Sequence, residues 1–375
     1  TKFLSDLKAL GILSPSKLLR ASDAIAQQIA IIKRLEKKGF TYKDELAVYF
    51  DTSRLADYGK LTGQKLFEKR VGVREKVVID EHKRHPADFA LWFFLKGRYK
   101  NHILRWPAPW GIGFPGWHIE CSAISRKLLG QPFDIHTGGV DHIGTHHTNE
   151  IAQSESAFGI PLARIWMHGD FLLIDEKRMG KSEGNLLTPD YLKEKGYSPF
   201  DFRYLCLTAH YRAKLNFTWE SLHAARTARE ELILFVTDLL GNPVRLGNPA
   251  SPARLAESLA SHSLRRSGPA KRTGRRTSTL ASHASLQAYK DRFLAAVNDD
   301  LNMPKAIAAV WKFIKDYRKS KKQKPKDALQ LLFWFDEVLG LKLSEVQPLT
   351  IPSEIQHLAD KREQLRKDKR WEEAY

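Results

Sequence analysis

Apolar positions recur at helical spacing in some stretches and at strand spacing in others. Ile25, Ile29 and Ile32 form a stripe that predicts helix within residues 1–40, with Gly39 as the stop. Residues 48–51 read as a strand, 58–63 as a turn and 77–79 as a further strand. Ile124, Leu128 and Leu129 continue a helix beyond Cys121, and residues 133–136 and 165–168 read as buried strands. Residues 171–174 form a β-type run that leads into Arg178-Met-Gly-Lys-Ser182, followed by a helical region packed by Phe202, Leu205, Leu207 and Tyr211. Leu232, Leu234, Phe235 and Leu239 mark a long helix over 219–241, which Gly241-Asn-Pro243 stops. Helical order returns over 286–346, where Phe293, Val297 and Leu301 are spaced by four and Ile307, Val310 and Ile314 follow. Residues 354–375 predict a charged helix.

Composition changes this picture in one place. Residues 243–284 turn to Arg, Ser, Ala, Gly and Pro, with the paired charges Arg265-Arg266, Lys271-Arg272 and Arg275-Arg276. Such a stretch cannot bury a core; it is a flexible basic linker or a shifted reading frame rather than a specific RNA site. The whole chain has 375 residues, 42% of them hydrophobic, which is room for two or three domains. A net charge of +18 suits a polyanion such as RNA, but equally suits simple solubility or a solvated basic segment. With two cysteines and no pairing pattern, and with no signal peptide or membrane-length apolar run, the expected compartment is reducing and cytoplasmic.

The densest chemistry lies between Trp110 and Glu150. His146 and Glu150 are four residues apart, so a helix puts them on one face. With the Cys121 thiolate they form a sulfur, nitrogen and oxygen donor set that suits zinc. A lone cysteine is otherwise a small core residue. Gly138-Gly139 ends the strand at 133–136, where α/β sheets admit ligands close to backbone.

These residues resemble the cysteinyl-tRNA synthetases, a family of class I aminoacyl-tRNA synthetases. The resemblance rests on Asp88-Phe-Ala-Leu-Trp92, Pro115-Gly-Trp-His-Ile-Glu-Cys121, Gly138-Gly-Val-Asp141, His146-His-Thr-Asn-Glu150 and Trp166-Met-His168, and covers nearly everything outside 243–284. It implies an α/β fold: a Rossmann-like catalytic domain whose first half is missing, followed by an α-helical bundle. Residues 1–87 would be the connective insertion and 88–218 the second half of the catalytic domain. Residues 219–346 would be the tRNA-stem-contacting bundle, with its turn at Asn298-Asp-Asp-Leu-Asn-Met-Pro304, and 347–375 the start of the anticodon region. Thr1 then matches a position inside the catalytic domain.

The resemblance also implies roles. Cys121, His146 and Glu150 would hold one zinc ion per chain. The family's fourth ligand, an early cysteine, has no counterpart here, and Cys206 sits in what reads as a packed helix face. Zinc would prefer a substrate thiolate to an alcohol, giving selectivity without editing. Trp117 would line the cysteine and adenylate pocket, or else be a core tryptophan. His136 would face the substrate cysteine, or else be a satisfied core histidine. Gly139 would approach the adenosine, and Asp141 would take ribose hydroxyls or simply cap a helix. Arg178, Met179, Gly180, Lys181 and Ser182 resemble the signature loop K-M-S-K-S, with Arg178 for lysine and Gly180 for serine. Lys181 would contact the phosphates of ATP, bound with Mg2+, and stabilise the leaving pyrophosphate. His142-Ile-Gly-Thr145 imitates the other class I signature, H-x-G-H, at the wrong position and without its last histidine.

The implied activity is ligation of cysteine to cysteine tRNA, with cysteine, ATP and that tRNA as partners, no membrane, and a monomer by default. A related ligase that joins cysteine to an amino sugar in mycothiol synthesis resembles the same core, but the 298–304 turn and the charged last helix favour tRNA. The missing H-x-G-H and the basic stretch favour a non-catalytic RNA-binding fragment, which cysteine-dependent adenylate formation would eliminate.

Overall fold

The computed structural model describes residues 1–63, 82–180, 184–241, 285–320, 324–348, 353–368, 370, 371 and 373. The strand expected at 77–79, the basic stretch at 243–284, and Lys181 and Ser182 lie outside the described residues. The chain divides into two units, Ser14–Phe171 with Tyr211–Lys214, and Thr1–Leu13 with Leu172–His210 and Leu215–Tyr375. The opening helix α1 (Lys2–Ala9) belongs to the second.

In the first unit, α2 (Ile25–Lys37) buries Ile31, Ile32 and Leu35, and it stops where Gly39 takes φ 75°. An antiparallel sheet follows, of β1 (Thr41–Lys43), β2 (Ala47–Phe50), β3 (Phe89–Phe94) and β4 (Gly113–Pro115), in that order. Every residue of β2 is buried, and Phe50 stacks on Phe89 with ring centroids 5.0 Å apart. Aromatic and β-branched residues favour this pleated, covered surface.

Asp88, 1% exposed, ties the sheet to the preceding turn. It accepts hydrogen bonds from Thr52 N (2.9 Å), Thr52 Oγ1 (2.6 Å), Tyr42 OH (2.9 Å) and His85 N (3.0 Å). An amide at this position would present a donor to some of these donors. Asp88→Asn is therefore expected to cost about 3 kcal/mol of stability. The check is the denaturant midpoint at unchanged slope; a shift under about 0.5 kcal/mol would show that the network carries little energy.

The same unit continues with α3 (Trp117–Leu129), β5 (Phe133–Gly139), α4 (Val140–Ile143), α5 (His146–Phe158) and β6 (Ala163–Gly169). β5 and β6 pair in parallel, with Ile135 opposite Ile165 and His136 opposite Trp166. The expectation of two buried strands is corrected here. α5 covers only the face bearing His136, Trp166 and His168. On the other face Ile135 is 51% exposed and Ile165 54%, while Phe133 is buried with Leu162 and Ala163.

In the second unit, β7 (Leu172–Ile174), β8 (Lys177–Arg178) and β9 (Leu215–Phe217) form a small sheet in the order β8-β7-β9. The helices α6 (Pro189–Glu194), α7 (Pro199–Leu207) and α8 (Trp219–Leu239) each start on a hydroxyl cap, from Thr188, Ser198 and Thr218, the first two with proline just inside the helix. Then come α9 (Leu286–Asn298), α10 (Met303–Ser320), α11 (Pro325–Leu339) and α12 (Ser353–Lys367). Leu232, Phe235, Phe293, Phe313 and Phe335 share one core.

Two expectations fail here. Leu301 is 43% exposed with φ 53°, because α9 ends at Asn298 and the spacing by four no longer describes a helix. Cys206 is exposed while its neighbour Leu205 is buried, since each step along a helix turns about 100° away from the packed face. Among the described residues no helix is long and apolar enough to cross a membrane.

Candidate metal centre and active site

Two glycines fix where α3 begins. A Cβ on Gly113 would lie 1.9 Å from the Phe93 carbonyl oxygen, and one on Gly116 2.0 Å from that of Ala90. Only glycine lets this strand and turn lie so close to β3. The helix that starts at Trp117 then carries Cys121 one turn further on. α5 carries His146 and Glu150, also one turn apart. Gln153 clamps the two helices, its amide nitrogen donating to His118 O and to Ser122 Oγ, both at 2.6 Å.

This packing brings Cys121, His146 and Glu150 together, with one ligand atom from each within 4.8 Å of the others. Glu150 is fully buried and His146 nearly so. Glu150 Oε2 contacts His136 Nε2, and Oε1 lies 2.9 Å from His146 Nε2. A buried carboxylate oxygen beside an imidazole nitrogen, in a group that also holds a thiol, fits a cation. The three residues therefore suit zinc. Among the described residues Cys206 joins no such group.

The charges follow from the surroundings. Burial pushes the Glu150 carboxyl up, but the imidazoles of His136 and His146 outweigh it and hold the carboxyl at about 2. Burial, reinforced by the Glu150 charge, pushes the Cys121 thiol up to about 12. Burial pulls His147 down to about 3 and lowers His168 too.

The other expected residues are arranged as follows. Trp117 is 57% exposed, so it is no core residue, and its ring lies 4.4 Å from that of His146. His136 lies on β5, half-buried against Glu150. Gly139 precedes α4, and Asp141, in the first turn of that helix, makes no side-chain cap. A Cβ at Gly139 would meet Asp141 Oδ1 at 2.5 Å, so this carboxylate folds back over the glycine.

Sequence reasoning missed the remaining histidines. His118 Nδ1 is 3.0 Å from His146 Nδ1, and Asn149 Nδ2 is 3.1 Å from His118 Nε2. His147 Nδ1 is 2.8 Å from His168 Nε2. A metal on His146 Nε2 would thus have its second nitrogen already oriented by His118. Strand alternation offered a signal, because residues 136 and 138 share a face, as do 166 and 168.

Against known proteins, residues 1–227 match the model of the class I (C) tRNA synthetase catalytic domain. The chain is 40% identical over 375 residues to cysteine–tRNA ligase 1 of Burkholderia lata, covering 99% of this chain and 69% of that protein. It is 36% identical over 381 residues to the cysteine–tRNA ligase of Treponema denticola, covering 99% and 73%. The chain belongs to the cysteine–tRNA ligase family. That family is one of aminoacyl-tRNA synthetases, and its α/β catalytic domain is followed by helices, of which residues 292–344 match the DALR domain model. The structure of Mycobacterium tuberculosis methionyl-tRNA synthetase in complex with methionyl-adenylate shares the fold, with a TM-score of 0.53 at 17% identity over 90% of this chain and 75% of that one.

The loop that resembles the family's signature lies in the second unit. Arg178 ends β8, and Met179 and Gly180 follow it. Asn185 ties the loop's two ends together: its Oδ1 accepts from Gly180 N and its Nδ2 donates to Arg178 O, both at 3.0 Å.

Proposed function

We propose that this chain activates cysteine with ATP and transfers the cysteinyl group to the 3′ end of cysteine tRNA. The observation that carries this reading is the group of half-buried Cys121 with buried His146 and Glu150, beside the exposed Trp117, in a chain of this family. In the first step the cysteine carboxylate attacks the α-phosphate of ATP, and pyrophosphate leaves. In the second, a ribose hydroxyl of the tRNA terminus attacks the acyl carbon, and AMP leaves. Positioning and charge stabilisation do the work, with no covalent enzyme intermediate.

A zinc ion held by Cys121, His146 and Glu150 would supply a thiophilic Lewis acid, which favours a thiol over a hydroxyl. Trp117 walls the amino-acid pocket and His136 orients the substrate there. Gly139 admits the adenosine to the backbone, and Asp141 accepts from the ribose hydroxyls. Lys181 stabilises charge on the departing pyrophosphate, with Mg2+ entering as the partner of ATP. The DALR-type helices and the net charge of +18 serve the tRNA.

The test is ATP–pyrophosphate exchange with cysteine, and serine as control. It is measured on this chain alone and with a segment bearing the family's first cysteine and H-x-G-H supplied. Exchange that depends on cysteine in either format is the expected result. Its absence from both, in protein that binds zinc, overturns the reading. In whichever format is active, Lys181→Ala is expected to slow exchange by roughly 100- to 1000-fold, the usual effect of losing one electrostatic contact to developing charge. A change below threefold would remove Lys181 from that role.

A further inference from the structure

Four side chains stand in line behind the candidate metal centre. Tyr58 OH donates to Asn149 Oδ1 at 2.7 Å. Asn149 Nδ2 lies 3.1 Å from His118 Nε2, and His118 Nδ1 lies 3.0 Å from His146 Nδ1. On the far side of its ring, His146 Nε2 faces Glu150 Oε1 at 2.9 Å. Tyr58, Asn149 and His146 are buried and His118 is half-buried. Backbone contacts hold the line in place: Gln153 Nε2 donates to His118 O at 2.6 Å, and Asn149 N to Thr145 O at 2.9 Å.

The protons along this line run in one of two complete orders. With Asn149 Nδ2 donating to His118 Nε2, the His118 proton sits on Nδ1 and is given to His146 Nδ1. The His146 proton is then on Nε2, and that nitrogen has no lone pair for a cation. A half-turn of the Asn149 amide exchanges its oxygen and nitrogen within the same planar shape. His118 Nε2–H then donates to Asn149 Oδ1, and His146 Nδ1–H donates to His118 Nδ1. Asn149 Nδ2 donates to the Tyr58 oxygen, whose own proton turns toward Ala87 O, 3.5 Å away. His146 Nε2 is left with its lone pair. Each imidazole keeps one proton in both orders, so the change moves protons between ring nitrogens with no net gain or loss.

We propose that His118 and Asn149 are positioning residues in a reversible relay, with Tyr58 at its outer end. The direction of the relay decides whether His146 turns a proton or a lone pair toward the metal. This rests on the zinc centre proposed above and adds residues that touch neither zinc nor substrate. Asn149 is the pivot, because it carries donor and acceptor on one group and a half-turn reverses both.

Two-bond proton–nitrogen correlation spectra of the full chain, labelled at its histidine nitrogens, read the proton position on each ring, and His118→Gln assigns the His118 signals. His118 is expected to carry its proton on Nδ1 in the metal-free protein and on Nε2 with zinc bound, while His146 changes from Nε2 to Nδ1. Zinc affinity by chelator competition is the second measurement. Asn149→Ala is expected to lower it roughly 10- to 100-fold, the usual cost of losing an outer partner of a metal ligand. Asn149→Asp only accepts, which fixes the relay in the metal-binding order, so its affinity is expected to equal or exceed that of the unaltered chain, and His118 Nε2 to carry a proton with or without zinc. A zinc-bound protein in which His118 keeps its metal-free proton position overturns the relay alone. So does an Asn149→Ala affinity within about threefold of the unaltered chain. Failure of the unaltered chain to bind zinc overturns the metal centre and the relay together.

Discussion

Replacing Cys121 with alanine lowers zinc affinity by on the order of 100-fold or more, and cysteine-dependent exchange falls with it. The figure is scaled from the 10- to 100-fold that losing even an outer partner of a metal ligand costs. Cys121 is the sole sulfur in the group, so its loss removes the donor that most favours zinc over harder cations. The metal-free chain explains why the effect is specific. Burial and the Glu150 charge hold the Cys121 thiol up at about 12, so without a cation it stays protonated and is a poor nucleophile. A cation reverses that balance by favouring the thiolate. Alanine in place of a half-buried thiol should therefore leave the metal-free fold within about 1 kcal/mol of the original. Zinc affinity by chelator competition, with circular dichroism as the fold control, reads both numbers. Unchanged affinity in a folded variant would show that the group does not hold zinc through sulfur.

The i, i+4 spacing that singles out His146 and Glu150 is a local rule, and it works because α5 is regular through both residues. Helix was legible after Cys121, but its start at Trp117 was not, because the close approach of Gly113 and Gly116 to β3 sets it. What sequence could not give is sidedness across elements. Residues 133–136 and 165–168 read as strands, and strands they are, yet Ile135 and Ile165 face outward because sheet burial depends on what covers each face. The His147 and His168 pairing joins residues on α5 and β6, and no periodicity within either element announces it. Asp88 stood out only as part of a motif. Its four hydrogen bonds come from residues scattered over positions 42 to 85, and those contacts make it structural. Leu301 shows the reverse error, a periodic pattern that ran past the end of its helix.

Gly116→Ala is expected to cost about 2–4 kcal/mol of stability and to weaken zinc binding at the same time. The backbone at Gly116 has φ −70° and ψ 162°, which any residue adopts, so the cost is steric rather than conformational. A Cβ there would be 2.0 Å from the Ala90 oxygen and 2.9 Å from its carbonyl carbon. Strand β3 cannot yield, being paired with β2 on one side and β4 on the other, with Leu91 and Trp92 fully buried. The Gly116 N–H donates to Leu91 O at 2.9 Å, so the turn would have to give up this bond to move away. Overpacking in such a place costs 1–3 kcal/mol and sometimes more, roughly, and the lost hydrogen bond adds about 1 kcal/mol. Relief would come by displacing the first turn of α3, the turn that carries Trp117 and leads to Cys121. Gly144 is the matched control, since its φ is −73° and nothing lies within 4 Å of its Cβ position. Gly144→Ala should change stability by less than about 0.5 kcal/mol. Denaturant midpoints of the two variants, read beside zinc affinity, decide the matter. Equal stabilities would mean that the approach of the turn to β3 is not what sets the start of α3.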